Sequence, residues 1–197
     1  KEYEGSYLAG ILAGYYTKNG QFAVLGGESN APMVKLMDTY EAMAIKTATD
    51  RGIAGASANR AFVNSFTDVS ATKEMTTSMI DNGADTVFCY SNEGVSGAIQ
   101  ACAESNVSFV GFSSNKNSES DCVIGSVEMY WPDVYPTIIK NVLDGTWRGY
   151  QEIGVAEGVF KVDYIDNTPQ DVQDAVASAT QDIIDGKIDF TQYFTDK

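Results

Sequence analysis

Short, uninterrupted apolar runs alternate with longer segments of helical periodicity along nearly the whole chain, and this alternation restricts the fold more than any other feature. Phe22-Ala23-Val24-Leu25, Asp85 to Tyr90, Val107 to Phe112 and Val123 to Val127 lack the in–out alternation of a half-exposed strand, so they read as strands buried on both faces. Between them lie helical segments. Glu2 to Lys18 carries Tyr3, Tyr7, Leu8, Ile11, Leu12, Tyr15 and Tyr16 at helical spacing and stops at Asn19-Gly20. Pro32 opens a second helix that ends near Arg51-Gly52. Asp68 or Ser70 caps a third that ends at Asn82-Gly83. Glu93 to Ser105 and Tyr130 to Leu143 supply two more. Thr168 as cap with Pro169 at the first helical position starts a final amphipathic helix that stops at Asp185-Gly186. Ile53 to Phe66 is ambiguous, with a strand expected near Ala61-Phe62-Val63, and residues 150–165 read as one or two strands. Strands joined through helices give an α/β fold: a parallel sheet flanked by helices on both faces, with right-handed crossovers. Residues 1–150 form the α/β lobe, and 151–197 form a tail of strand and helix.

Composition narrows what such a sheet can serve. Asp and Glu number 27 against 13 Lys and Arg, a net charge of −14. That excludes nucleic-acid partners, because phosphate neutralisation needs clustered cations, and it disfavours adsorption to anionic lipid. There is no histidine, which removes the commonest general base and metal ligand together. Cys89, Cys102 and Cys122 form neither a CxxC nor a zinc spacing, and Cys89 reads as a buried thiol. No metal, no cofactor and no catalytic apparatus are expected. A Ser-His-Asp arrangement is impossible, Gly-x-Ser-x-Gly does not occur, and no carboxylate pair stands out. No stretch reaches the roughly 18 apolar residues of a membrane span.

In an open α/β sheet, ligands bind beyond the carboxyl ends of the strands, near the point where strand order reverses. The segments after the expected strands are Gly26 to Asn30, Asn64 to Asp68, Tyr90 to Gly94, Phe112 to Lys116 and Glu128 to Trp131. They mix glycine, short polar side chains and aromatics, which suits a neutral polar ligand with a flat apolar face. The candidate ligand contacts are Gly27, Phe66, Asn92, Glu93, Gly94, Ser113, Asn115, Met129 and Trp131. Each has a plainer role. Gly26-Gly27 can be only a tight turn, since the pair is neither GxGxxG nor a Walker loop. Phe66 can be core, Ser91 and Asn92 can cap the following helix, Ser113 and Asn115 can be solvated loop, and Tyr130 and Trp131 can shield a helix end.

An ordered set of short motifs resembles one family. Glu4-Gly-Ser-Tyr-Leu-Ala-Gly10 is followed by Thr17-Lys-Asn-Gly20, Leu25-Gly-Gly27, Ser65-Phe-Thr-Asp68 and Asp81-Asn-Gly-Ala-Asp85. Gly94-Val-Ser-Gly97, Val110-Gly-Phe112, Ser126-Val127, Asp144-Gly145 and the tail from Pro169 to Gly186 complete the set. Each motif is weak alone, but together they run collinearly through the chain and resemble the basic membrane protein (BMP) family of ABC-transporter substrate-binding lipoproteins, which includes purine nucleoside receptors. The resemblance implies the type I periplasmic-binding fold, with ligand held between two lobes that close about a hinge. This chain would be mainly the second lobe, with the tail shared with the hinge and first lobe. It implies an extracytoplasmic protein, lipid-anchored or periplasmic, whose anchor segment is not in this chain, and which partners an ABC transporter permease.

In nucleoside-binding members an aromatic stacks on the base, and an Asp and a Lys hold the ribose. The resemblance places the aromatic at Phe66 and the ligand-side glycine at Gly94. Ser113 stands where the family has the Asp, and Glu128-Met129 where it has the Lys. Each lost charge-assisted hydrogen bond is worth about 1.5–3 kcal/mol, so a different ligand, or a nucleoside held differently, is expected. The leading reading is capture of a small polar metabolite, nucleoside-like or other, for an ABC importer. The alternatives are a ligand-sensing domain of a regulator and, third, a small-metabolite enzyme. One lobe alone should bind far more weakly than two, and exposed interlobe surface offers a face for dimerisation.

Overall fold

The computed structural model describes residues 1–195 as a six-stranded sheet in the order β2-β1-β3-β4-β5-β6. The strands are β1 (Gln21–Gly26), β2 (Ser57–Phe62), β3 (Thr86–Tyr90), β4 (Ser108–Ser113), β5 (Val123–Met129) and β6 (Phe160–Tyr164). β1 to β5 are mutually parallel, as the buried runs predict, whereas β6 pairs antiparallel with β5, from Gly125 opposite Tyr164 to Met129 opposite Phe160. The sequence reading of a wholly parallel sheet is therefore corrected at one edge. Residues 151–159 form no strand, and the connection from β5 to β6 runs through a 3-10 turn, one helix and this irregular segment before the chain returns antiparallel.

Each central strand feeds two cores. Phe22 and Val24 of β1, Phe88 of β3, and Val110 and Phe112 of β4 face one cluster. Ala23 and Leu25, Val87 and Cys89, and Phe109 face the other. This period-two division is why the runs are apolar at consecutive positions. Helices α1 (Glu2–Tyr16), α2 (Ala31–Asp50) and α6 (Gln170–Ile184) contribute to the first cluster, and α4 (Val95–Ser105) to the second, with α3 (Val69–Asp81) packed beside it. The packing of α1 is unusual: Glu4 through Gly14 are all buried. The helix can lie this deep because Gly10 and Gly14 let α2 approach. A Cβ on Gly10 would sit 2.6 Å from the Tyr40 carbonyl, and one on Gly14 would overlap the Thr47 side chain.

Helix ends follow local chemistry. Asp68 accepts from the Ala71 N–H at 2.9 Å and so caps α3 as expected. Gly83 closes α3 at φ +104°, a backbone state that costs glycine little. Thr168 does not cap α6: the helix begins at Gln170, and the Thr168 hydroxyl is buried without a hydrogen-bond partner. The helix expected from Tyr130 to Leu143 is divided at its proline. A single 3-10 turn (Trp131–Asp133) precedes α5 (Val134–Leu143). Of α5 only Val134 is buried, and Tyr135, Ile139, Val142 and Leu143 are more than half exposed.

Candidate functional site

The strand order places the topological switch point between β1 and β3. From β1 the chain turns outward on one side to β2, then returns across to β3 and continues to β5. The carboxyl ends of these strands meet in two adjoining concavities. One, of about 290 Å³, is lined by Glu2, Asn30, Phe66, Tyr90 and Asn92, with Pro32 and Met33 behind them. The other, of about 160 Å³, shares Tyr90 and Asn92 and adds Ser91, Phe112, Ser113 and Lys116.

Phe66 is held from beneath. The Gly27 N–H donates to the Tyr90 carbonyl at 3.0 Å, and the Gly27 carbonyl accepts from the Ser65 N–H at 3.0 Å, so the loops after β1, β2 and β3 are tied at one residue. A Cβ on Gly27 would overlap the Phe66 ring, with Cγ at 2.8 Å. The glycine is therefore the seat on which the phenyl ring lies. Gly94 completes the frame: its N–H donates to the Phe66 carbonyl at 3.2 Å, and a Cβ there would strike the Thr72 hydroxyl at 2.8 Å. Ser91 does not cap α4, because its hydroxyl reaches the Ser65 carbonyl at 3.3 Å, and the α4 cap position is Gly94.

The polar wall comes from separate elements. Asn30 caps α2 through Oδ1, which accepts from the Met33 N–H at 3.0 Å, and it lines the larger concavity. Asn92 is exposed and borders both spaces. The Tyr90 hydroxyl donates to Glu2 Oε1 at 2.9 Å across 88 residues of sequence. Burial, reinforced by the Glu2 carboxylate, pushes the Tyr90 phenol well above its usual range, so it stays protonated as a donor. Ser113 ends β4 at φ +71°, an uncommon state for a residue with a side chain. Lys116 pairs with Glu119 at 2.9 Å, and its backbone N–H is held by Ser126 Oγ at 2.9 Å.

Thus Gly27, Phe66, Asn92, Gly94 and Ser113 converge on the carboxyl edge of the sheet. The other expected contacts sit apart from the two concavities. Glu93 is exposed in the turn before α4. Asn115 folds back to accept from the Asn117 N–H at 2.9 Å. Met129 packs against the first core, and Trp131 stacks on Tyr135 at 5.5 Å between ring centroids. Glu128, beside Met129, lies in register with Ser113. Its carboxyl is raised by partial burial and by the neighbouring Asp163 carboxyl, with Lys161 opposing. Sequence reading misses Glu2, Asn30 and Tyr90. Tyr90 was legible as the last residue of a strand, whereas Glu2 looks like an ordinary acid in the first turn of a helix.

The buried thiols supply no chemistry here: burial pushes Cys89 up to about 12, far from a reactive thiolate. Among the described residues no group of three or more His, Cys, Asp or Glu side chains is placed to hold a metal, and no helix is long and apolar enough to cross a membrane.

A mostly parallel, doubly wound six-stranded sheet flanked by helices is the fold of periplasmic solute-binding proteins. The chain belongs to the Bmp family: the model described as ABC transporter substrate-binding protein PnrA-like matches residues 1–191. It is 26% identical to a purine-binding protein of Brucella abortus (strain 2308), over 87% of this chain and 47% of that protein. It is also 26% identical to the ABC transporter nucleoside-binding protein BmpA of Lactococcus lactis subsp. cremoris (strain MG1363), over 94% of this chain and 57% of that protein. The chain therefore spans about half the length of these relatives. Among solved structures it superposes on an ABC transporter solute-binding protein from Aeropyrum pernix K1 with a TM-score of 0.79 at 16% identity, covering 95% of this chain and 64% of that one. That likeness concerns the fold.

Proposed function

We propose that this chain is the ligand-side lobe of an extracytoplasmic receptor that captures a nucleoside-like metabolite for an ABC importer without transforming it. The observation that carries the reading is the seated ring. Phe66 lies on Gly27 at the switch point, with Asn30 and Asn92 beside it. A flat apolar face bordered by amides is the surface a purine ring requires, stacking on one side and hydrogen-bonding at its edge. The names of the two relatives, purine-binding and nucleoside-binding, point to the same chemistry.

In this reading the rest of the receptor supplies the opposing lobe. It covers the apolar face of α5, where Tyr135, Ile139, Val142 and Leu143 stand exposed. Residues 1–150 then form one lobe, and 151–197 link it to the hinge and the first lobe. Glu93, Asn115, Met129 and Trp131 reach ligand only in the closed form. Binding without turnover fits a site with no histidine and with its thiols held protonated.

Titration of purines, nucleosides and sugars into the isotope-labelled chain, followed by amide shifts, tests the reading. Saturable shifts at Gly27, Phe66 and Asn92 with a nucleoside or nucleobase support it. Shifts confined to other surfaces, or none with any purine at millimolar concentration, overturn it. Chemical conversion of the ligand on incubation would favour an enzyme instead.

A further inference from the structure

The larger concavity contains one charged side chain that the stacking reading leaves without a role. Glu2 enters it from the start of α1, and its Oε1 is fixed at 2.9 Å by the Tyr90 hydroxyl. Tyr90 is itself held edge-on against Phe112, with ring centroids 5.2 Å apart, so the phenol has little freedom to swing away. Its one proton is committed to Glu2. The second carboxylate oxygen, Oε2, makes no hydrogen bond among the described residues. The cations nearest Glu2 are engaged elsewhere. Lys1 pairs with Glu4 at 3.3 Å, and Lys35 lies 5.1 Å over the Phe194 ring. Lys116, in the adjoining concavity, is paired with Glu119. An anchored carboxylate with a free oxygen accepts hydrogen bonds and repels anions, and the fixed geometry lowers the entropic cost of using it.

We infer that Glu2, held by Tyr90, is a specificity-determining residue of this site: it accepts a hydrogen bond from a hydroxyl or amino group of an uncharged, nucleoside-type ligand whose ring lies on Phe66. The inference rests on the functional reading above and deepens it. It places an acidic anchor on the α1 side of the concavity, away from Ser113, where the family resemblance looked for one. The competing role for Glu2 is purely structural, since a carboxylate in the first turn favours the helix dipole. The two roles differ in what they do to ligand analogues.

The experiment measures affinities of wild type, Glu2→Gln and Tyr90→Phe for adenosine, N6,N6-dimethyladenosine and 9-methyladenine, by amide-shift titration of the 197-residue chain. The two analogues remove the amino donor and the sugar hydroxyl donors in turn. Glu2→Gln should weaken adenosine by about tenfold or more, the size of one charge-assisted hydrogen bond. Tyr90→Phe should weaken it less, because the carboxylate stays but loses its anchor. Against one analogue, the one lacking the donor that Glu2 accepts, wild type and Glu2→Gln should bind alike. An adenosine affinity unchanged within about twofold by Glu2→Gln overturns the inference while leaving the receptor reading intact. So does an equal loss for all three ligands, which marks a structural effect. If wild type binds none of the three, the receptor reading fails and takes this inference with it.

Discussion

Replacing Gly27 by alanine separates the ligand-facing role of Phe66 from a packing role. The added methyl overlaps the Phe66 ring, with Cε1 at 2.5 Å and Cδ1 nearer still against the 3.4 Å or more of ordinary contact, so the ring must move by about an ångström. Gly27 is not at positive φ, so alanine brings no backbone strain. It should return about 0.4–1 kcal/mol by restricting the unfolded chain. Displacing a half-buried ring costs on the order of 1 kcal/mol, at the mild end of overpacking because solvent is there to receive it. The two nearly cancel, and stability should change by less than about 1 kcal/mol. Binding should not cancel. Stacking of a base on an aromatic ring is worth about 1–3 kcal/mol, so a misplaced ring should lower purine affinity by roughly 5- to 150-fold. Urea unfolding and ligand titration on the same preparation give both numbers. Phe66→Ala should lose comparable affinity, and the double variant should be no worse than Phe66→Ala alone. An unchanged affinity in Gly27→Ala, or a stability loss above about 2 kcal/mol, would return Phe66 to the core and remove the main support for the site.

Three further outcomes follow from other parts of the structure. Gly14→Ala drives a methyl into Thr47 and the Ala44 carbonyl at 2.9 Å, both on a packed helix, and should cost about 2 kcal/mol or more in chemical denaturation. Asp38→Ala removes a buried carboxylate that accepts from Arg60 at 2.6 Å and from the Thr195 N–H and hydroxyl at 2.8 Å each. Because Arg60 keeps Glu41, the loss should be about 2–3 kcal/mol, below the usual penalty for a broken buried pair, with increased proteolysis near the carboxyl end. Glu128→Gln should stabilise the protein slightly at neutral pH. A carboxyl raised in the folded state adds stability below its unfolded pKa and loses it as pH rises through the folded value, so the wild type is penalised above the ordinary carboxylate range. The gain is under about 1 kcal/mol for this partly exposed group and should vanish below about pH 4, as thermal melts across pH will show.

How much of this was legible in the sequence depended on whether the determining contact was local. Strands β1, β3, β4 and β5 were legible because a strand buried on both faces must be apolar at consecutive positions, as Phe22 to Leu25 is. β2 was ambiguous because Ser-Ala-Asn-Arg-Ala-Phe is an edge strand with no fully buried residue, where Arg60 is recruited to Asp38 and Glu41. The antiparallel β6 was only half visible, since nothing in Phe160 to Tyr164 encodes direction, and direction follows from how the preceding turns bring the chain back. The same division runs through the site. The backbone frame was legible only in part: Gly27 stood out as a glycine after a buried strand, Phe66 and Gly94 were placed by the family resemblance, and their meeting depends on the sheet order. The polar wall was not. Glu2 and Tyr90 lie 88 residues apart, and each has a sufficient local explanation, a first-turn acid and a strand-end aromatic. Only sheet order, which brings the carboxyl end of β3 under the start of α1, turns two ordinary residues into one carboxylate with a fixed direction. Under the proposal for Glu2, ligand specificity in this chain is written in a pair that the topology assembles and not in any local motif.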